Sequence, residues 1–168
     1  MELSNQSSWI KLSSQSCLNT QNINSSGIRR VRGIILYNDS IILIKRERSE
    51  EGKKNLYYVF PGGGVEEDDK TLEAALHREI FEELGIKISI SKNLYLNSYN
   101  NQNNGYFLCE YLSGQIGTGT GPEFNDKNYS DRGTYTPVIV PISKIADINL
   151  VPEVVKNRLI LDLENGTI

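Results

Sequence analysis

Positions 56–85 constrain this chain more than any other stretch. A short aromatic and β-branched run, 56–60, stops at Pro61 and at Gly62, Gly63 and Gly64, which free the backbone to take a tight path close to a ligand. After a polar segment, Thr71 precedes Leu72, Leu76, Ile80 and Leu84, one apolar residue every fourth position with Ala75 filling in, and Gly85 closes the pattern. A Thr start, a four-residue apolar spacing and a Gly stop predict one helix with a stripe turned to a core. The order is then strand, glycine turn, helix.

The rest of the 168 residues fits around that unit. Runs at 31–37 and 41–44 flank Asn38-Asp39-Ser40, turn chemistry that predicts a hairpin. Further strands are expected near 87–90, 94–99, 106–112 and 138–142, and Pro152 opens a second helical pattern through Val155, Leu159 and Leu163. The polar stretches 97–105 and 113–133 read as loops, the second long enough to be functional. Fifteen of the first 26 residues are Ser, Asn or Gln, too polar to build a core. The expectation is a polar extension over 1–27 and one domain over 28–168.

Composition removes several function classes. With 18 Lys and Arg against 21 Asp and Glu the net charge is −3, and the isoelectric point is near 5.3. Bulk nucleic acid is therefore not an expected partner. No apolar run long enough for a membrane span, and no secretory signal pattern, is present, so a cytoplasmic protein without membrane attachment is expected. Cys17 and Cys109 lie far apart without a CxxC pair, which fits reduced, chemically silent thiols.

On the predicted helix, Glu79, Glu82 and Glu83 stand at spacings of three and four, on one face beside the apolar stripe. Alone, such a trio is an ordinary solvated acidic face. Beside a buried stripe and just after three glycines, it offers several hard oxygen ligands at one place, which is what Mg²⁺ or Mn²⁺ requires.

The run from Gly64 to Ile86, GVEEDDKTLEAALHREIFEELGI, resembles the Nudix box, G-x5-E-x7-R-E-U-x-E-E-x-G-U with U bulky and aliphatic. Gly64, Arg78, Glu79, Ile80, Glu82, Glu83, Gly85 and Ile86 all match. Lys70 stands where the family has Glu, and either Glu67 or Asp69 would stand in for it. The resemblance implies an α+β fold, the Nudix α/β/α sandwich around a mixed β-sheet. It also implies metal-dependent hydrolysis of a phosphoanhydride in a nucleoside diphosphate linked to another group, a small-molecule nucleotide substrate. Glu82 and Glu83 would be metal ligands and the Gly63 carbonyl a further one. Glu79 would be a ligand or the base that orients water, and Arg78 would pair with a box carboxylate, which makes Glu79, Glu82 and Arg78 the catalytic candidates. A catalytically weak nucleotide-binding or regulatory module of the same fold is the alternative, and a homodimer is compatible with the sequence.

Eight of the 18 cations fall between Arg29 and Lys54, and eight of the 21 acids between Glu66 and Glu83. Such segregation suits a substrate whose phosphates bridge metal on one side and Arg or Lys on the other. Arg46, at the end of the second hairpin strand, is similar in placement to a phosphate-contacting Arg of some family members. The run Gly117-Thr118-Gly119-Thr120-Gly121 lacks a phosphate-loop ending and reads as a mobile loop. Glu123 after it is a further candidate metal ligand. His77, the only histidine, lies off the carboxylate face and reads as structural or exposed.

Overall fold

The structure, a computed structural model, describes residues 27–50, 53–99, 101–121 and 133–168. The expected 1–27 extension, Cys17 and Glu123 therefore lie outside the described residues, apart from Gly27. Among the described residues seven strands form one mixed sheet: β1 (Ile28–Tyr37), β2 (Ser40–Glu50), β3 (Lys53–Val59), β4 (Ile86–Tyr99), β5 (Gln102–Gly114), β6 (Thr134–Pro141) and β7 (Leu150–Val151). Helix α1 (Leu72–Leu84) follows β3, a 3-10 turn spans Ile142–Asp147, and α2 (Glu153–Glu164) ends the domain.

The spatial order is β4-β5-β1-β2-β3-β7, with β6 on β2. Ile42 of β2 pairs with Ile35 of β1 and with Ile139 of β6, and Ile44 pairs with Val59 of β3 and with Pro137 of β6. Because β6 takes one edge of β2 from Ser40 to Glu47, β1 and β3 must share the other edge, end to end. The chain leaving β3 then runs beside the free half of β1. The Val31 N–H donates to Gly63 O at 3.0 Å, the Gly33 N–H to Pro61 O at 2.9 Å and the Val65 N–H to Arg29 O at 3.0 Å.

Alternation along the strands sends two apolar sets to opposite faces. Val31, Ile35, Ile42 and Ile44 pack with Ala75, Leu76, Ile80 and Leu84 of α1. Ile34, Ile41, Leu43 and Phe60 pack with Val155 and Leu159 of α2. Full burial of an aliphatic side chain contributes roughly 1.5–3 kcal/mol, so either face alone is a substantial core. The expected helix ends are in place: the Thr71 Oγ1 accepts the Ala74 N–H at 3.0 Å, and Gly85 is left-handed at φ 73°.

Two expectations are corrected. The described residues of the 97–105 stretch belong to the β4–β5 hairpin, with Asn97 opposite Asn104 and Ser98 opposite Asn103. A long antiparallel ladder overrides the loop preference of its Asn and Ser residues. The runs at 87–90 and 94–99 are one strand, β4, broken only by register shifts near Lys92 and Asn93. Cys109 is buried, and desolvation pushes its thiol up to about 12, in keeping with an inert thiol. Among the described residues no helix is long and apolar enough to cross a membrane.

Candidate active site

Two elements build the site: the strand-like 61–65 segment and the face of α1 opposite it. Gly63 is a close-approach glycine, since a Cβ there would come within 2.2–2.6 Å of the Glu79 carboxylate. One turn further along α1, Glu83 Oε2 accepts the Gly62 N–H at 2.7 Å. The turn and the helix thus meet through carboxylates set against backbone. From behind, the Arg32 Nη1 donates to Gly62 O and, at 3.2 Å, to Phe60 O.

Arg78 gathers the acids. Its Nε and Nη2 hold Asp69 in a fork at 3.2 and 2.8 Å, its Nη1 reaches Glu79 at 3.0 Å and Glu82 at 3.3 Å, and Nη2 also donates to Gly64 O at 3.0 Å. Glu66 adds an ion pair at 3.5 Å. Of the two loop acids left open, Asp69 is the one held by Arg78; Glu67 and Lys70 are both exposed. The Arg78 hydrogen bond holds Asp69 below the ordinary carboxylate range. Burial does the reverse to Glu79, raising its proton affinity against the pull of Arg78.

Among the described residues no three metal-ligating side chains stand as a ready-made shell, since Glu79 and Glu82 turn oxygens toward Arg78. The donor chemistry nevertheless fits a hard divalent cation: carboxylate oxygens of Glu79, Glu82 and Glu83, and a Gly63 carbonyl whose second lone pair is left after the Val31 N–H.

Arg46 is held by the strands on either side of β2. It is 7% exposed, its Nε donates to Thr134 O at 3.0 Å, and its guanidinium sits 3.4 Å from the Tyr135 ring centre and 5.9 Å from that of Tyr57. His77 is exposed, as expected. The arginine whose electrostatic surroundings include Glu79 and Glu83 is Arg32. Sequence reasoning counted it only as one cation among eight. Its alternation with Val31 and Gly33 was the available signal.

The 117–121 run, expected to be mobile, is fastened to the end of α1. The Gly117 N–H donates to Leu84 O at 3.1 Å and the Gly121 N–H to Glu82 O at 2.9 Å. At Gly119 a Cβ would meet the Glu82 and Glu83 carbonyls at 2.4–2.5 Å. The last carbonyls of a helix lack partners within it, and these amides supply them.

Residues 27–125 match the family described as NUDIX domain. No curated protein matches this sequence. Among solved structures, a MutT of the pair studied from Aliivibrio salmonicida and Vibrio cholerae is similar over 80% of this chain and 98% of that chain, at 22% identity and a TM-score of 0.54. A NUDIX hydrolase from Nitrosomonas europaea is similar over 83% and 90%, at 17% identity and 0.55. A UDP-X diphosphatase is similar over 85% of this chain and 65% of that one, at 16% identity and 0.55.

Proposed function

Because the chain belongs to the Nudix family, we propose that it hydrolyses a phosphoanhydride in a nucleoside diphosphate joined to a second group, with Mg²⁺ or Mn²⁺ as the metal. The observation that carries this reading is the closure of the α1 carboxylates on the glycine turn, Glu83 on the Gly62 N–H and Glu79 against Gly63. Glu82, Glu83 and the Gly63 carbonyl would hold the metal, with Glu123 a further candidate ligand. A divalent ion held there would supply charge neutralisation for the diphosphate and polarise the phosphorus. Glu79, whose proton affinity burial raises, takes the proton from the water that attacks phosphorus as the bridging P–O bond breaks. Arg78 positions Glu79 and Glu82. Arg46 receives a phosphate beyond the one attacked.

A screen of nucleoside triphosphates, nucleotide sugars, dinucleoside polyphosphates and ADP-ribose with Mg²⁺ tests the reading and identifies the second group. Glu82→Gln and Glu83→Gln should each lower turnover by at least about 100-fold with the fold intact by circular dichroism. Undiminished hydrolysis in excess chelator, or in both variants, would overturn it. One observation favours a binding module instead, the engagement of Glu79 and Glu82 by Arg78. That alternative requires saturable nucleotide binding with no product formed.

A further inference from the structure

Behind the glycine turn, on the α2 side of the sheet, lies a cleft of about 70 Å³ whose lining includes Arg32, Phe60, Asn104, Tyr106 and Pro152. Pockets for drug-sized ligands run to roughly 300–1,000 Å³, so this one suits an ion or a single substituent and is too small for a nucleoside.

The charged side chain in that lining is a cation, Arg32. Arg30 and Arg32 alternate onto the same face of β1, with Asn104 and Tyr106 as their register partners on β5. The two guanidiniums repel each other, and that repulsion, after burial, pulls the Arg32 proton affinity down. Arg32 Nη1 is engaged by the Phe60 and Gly62 carbonyls, but the buried Arg30 Nε has no hydrogen-bond partner among the described residues. One strand further out, Asn97 pairs in register with Asn104; it is 4% exposed, and its Oδ1 is equally without a partner. A terminal amide can turn to present either its oxygen or its N–H groups.

From the other side, α2 begins at Pro152 with no side chain capping its first turn, which leaves free N–H groups and the positive end of the helix dipole. Glu153 in that turn is exposed. Glu79 and Glu83 act on Arg32 from the far side of the glycine turn.

We propose that this cleft is an anion site that takes a phosphate group between Arg30, Arg32 and the start of α2. The assignment does not depend on hydrolysis, so it stands or falls separately from the proposed activity. Its occupant is either a free phosphate or phosphoester, or a terminal phosphate of the substrate. Because Arg32 also holds Gly62 O, occupancy bears on the residue whose N–H lies on Glu83.

The test is titration of the full chain with inorganic phosphate, followed by calorimetry and by arginine side-chain resonances, with Mg²⁺ present and with chelator. Binding should be saturable, similar in both buffers, and at least about tenfold weaker in Arg30→Gln. Arg29→Gln removes the same charge from an exposed neighbour and should leave it unchanged. Arg32→Gln should abolish binding; if that variant fails to fold, Arg30→Gln still decides. In the hydrolysis assay, a phosphate-induced rise in KM would identify a substrate phosphate as the natural occupant, and a change in kcat at constant KM would identify a separate ligand. Absence of saturable binding, equal weakening by Arg29→Gln, or metal-dependent binding that survives Arg30→Gln would overturn the proposal.

Discussion

Arg78 and Arg46 are two enclosed arginines on the α1 side of one sheet, held by opposite means. Arg78 is gripped by Asp69, Glu79, Glu82 and a carbonyl, whereas Arg46 stacks on Tyr135 and donates to the Thr134 carbonyl. An arginine set among carboxylates depends on their ionisation and on the geometry of its fork. An arginine set among rings depends on packing and is indifferent to acid. The first arrangement aims side chains; the second stores a cation beside flat surfaces.

Breaking the charged grip should have the largest effect. Arg78→Ala leaves Glu79 and Glu82 without their common partner, and kcat should fall by about 100-fold with little change in KM, in the upper range for residues that orient ligands. Arg78→Lys should recover only a fraction, since one ammonium cannot hold Asp69 by two parallel bonds. Steady-state kinetics on the best substrate from the screen decide; a full recovery would show that charge alone matters.

The ring-held arginine comes next. Arg46→Ala should weaken kcat/KM by about 1.5 kcal/mol, roughly tenfold, as expected for one hydrogen bond to a charged phosphate. It should also lower the melting temperature, because the stack on Tyr135 is lost. Destabilisation with unchanged kcat/KM would assign Arg46 to packing alone.

Acid sharpens the contrast further. Arg78 depresses Asp69, so the stability Asp69 contributes is complete above the unfolded carboxyl value of about 3.9 and is lost as pH falls through its lower folded value. Glu79 is raised, so its ionised form opposes folding above its folded value, and that penalty is relieved as pH falls. Asp69→Asn should flatten the stability curve below about pH 4. Glu79→Gln should raise the urea midpoint at neutral pH while removing activity. Urea midpoints measured across the acid range would show both.

The smallest effect is expected at Lys70. Lys70→Glu places a second acid next to Asp69, and since Asp69 already fills the Arg78 fork, turnover should change by no more than about threefold, within the range of weak exposed ion pairs. A change of orders of magnitude in a kinetic assay would mean that Asp69 is not the working loop acid.

Much of α1 was legible because its rules are local. Thr71, the Leu72-to-Leu84 stripe and Gly85 act within a turn or two of one another, and Glu79, Glu82 and Glu83 share a face by arithmetic alone. The choice between Glu67 and Asp69 was not local, since it turned on which acid the loop presents to a fork nine or more residues away. Arg32 was hidden for a similar reason. Its partners, Phe60 O and Gly62 O, become neighbours only once 61–65 lies along β1. The Tyr57 and Tyr135 rings reach Arg46 from two strands on opposite edges of β2, and nothing near position 46 announces them. The 117–121 run was misjudged because composition reports freedom, while its amides found the carbonyls that α1 could not satisfy.

The hydrogen bonds between 61–65 and β1 change what a triple glycine means here. Glycines suggest a hinge, but with Gly63 and Pro61 carbonyls bonded to Val31 and Gly33, the turn exchanges its amide partners only when the sheet edge itself opens. Hydrogen exchange at Val31, Gly33 and Val65 should therefore be slow, on the scale of sub-global opening and not of loop motion. Absent side chains at this point serve proximity, bringing Glu79 onto the backbone, and adaptation to a ligand has to come from side chains around a stationary seam.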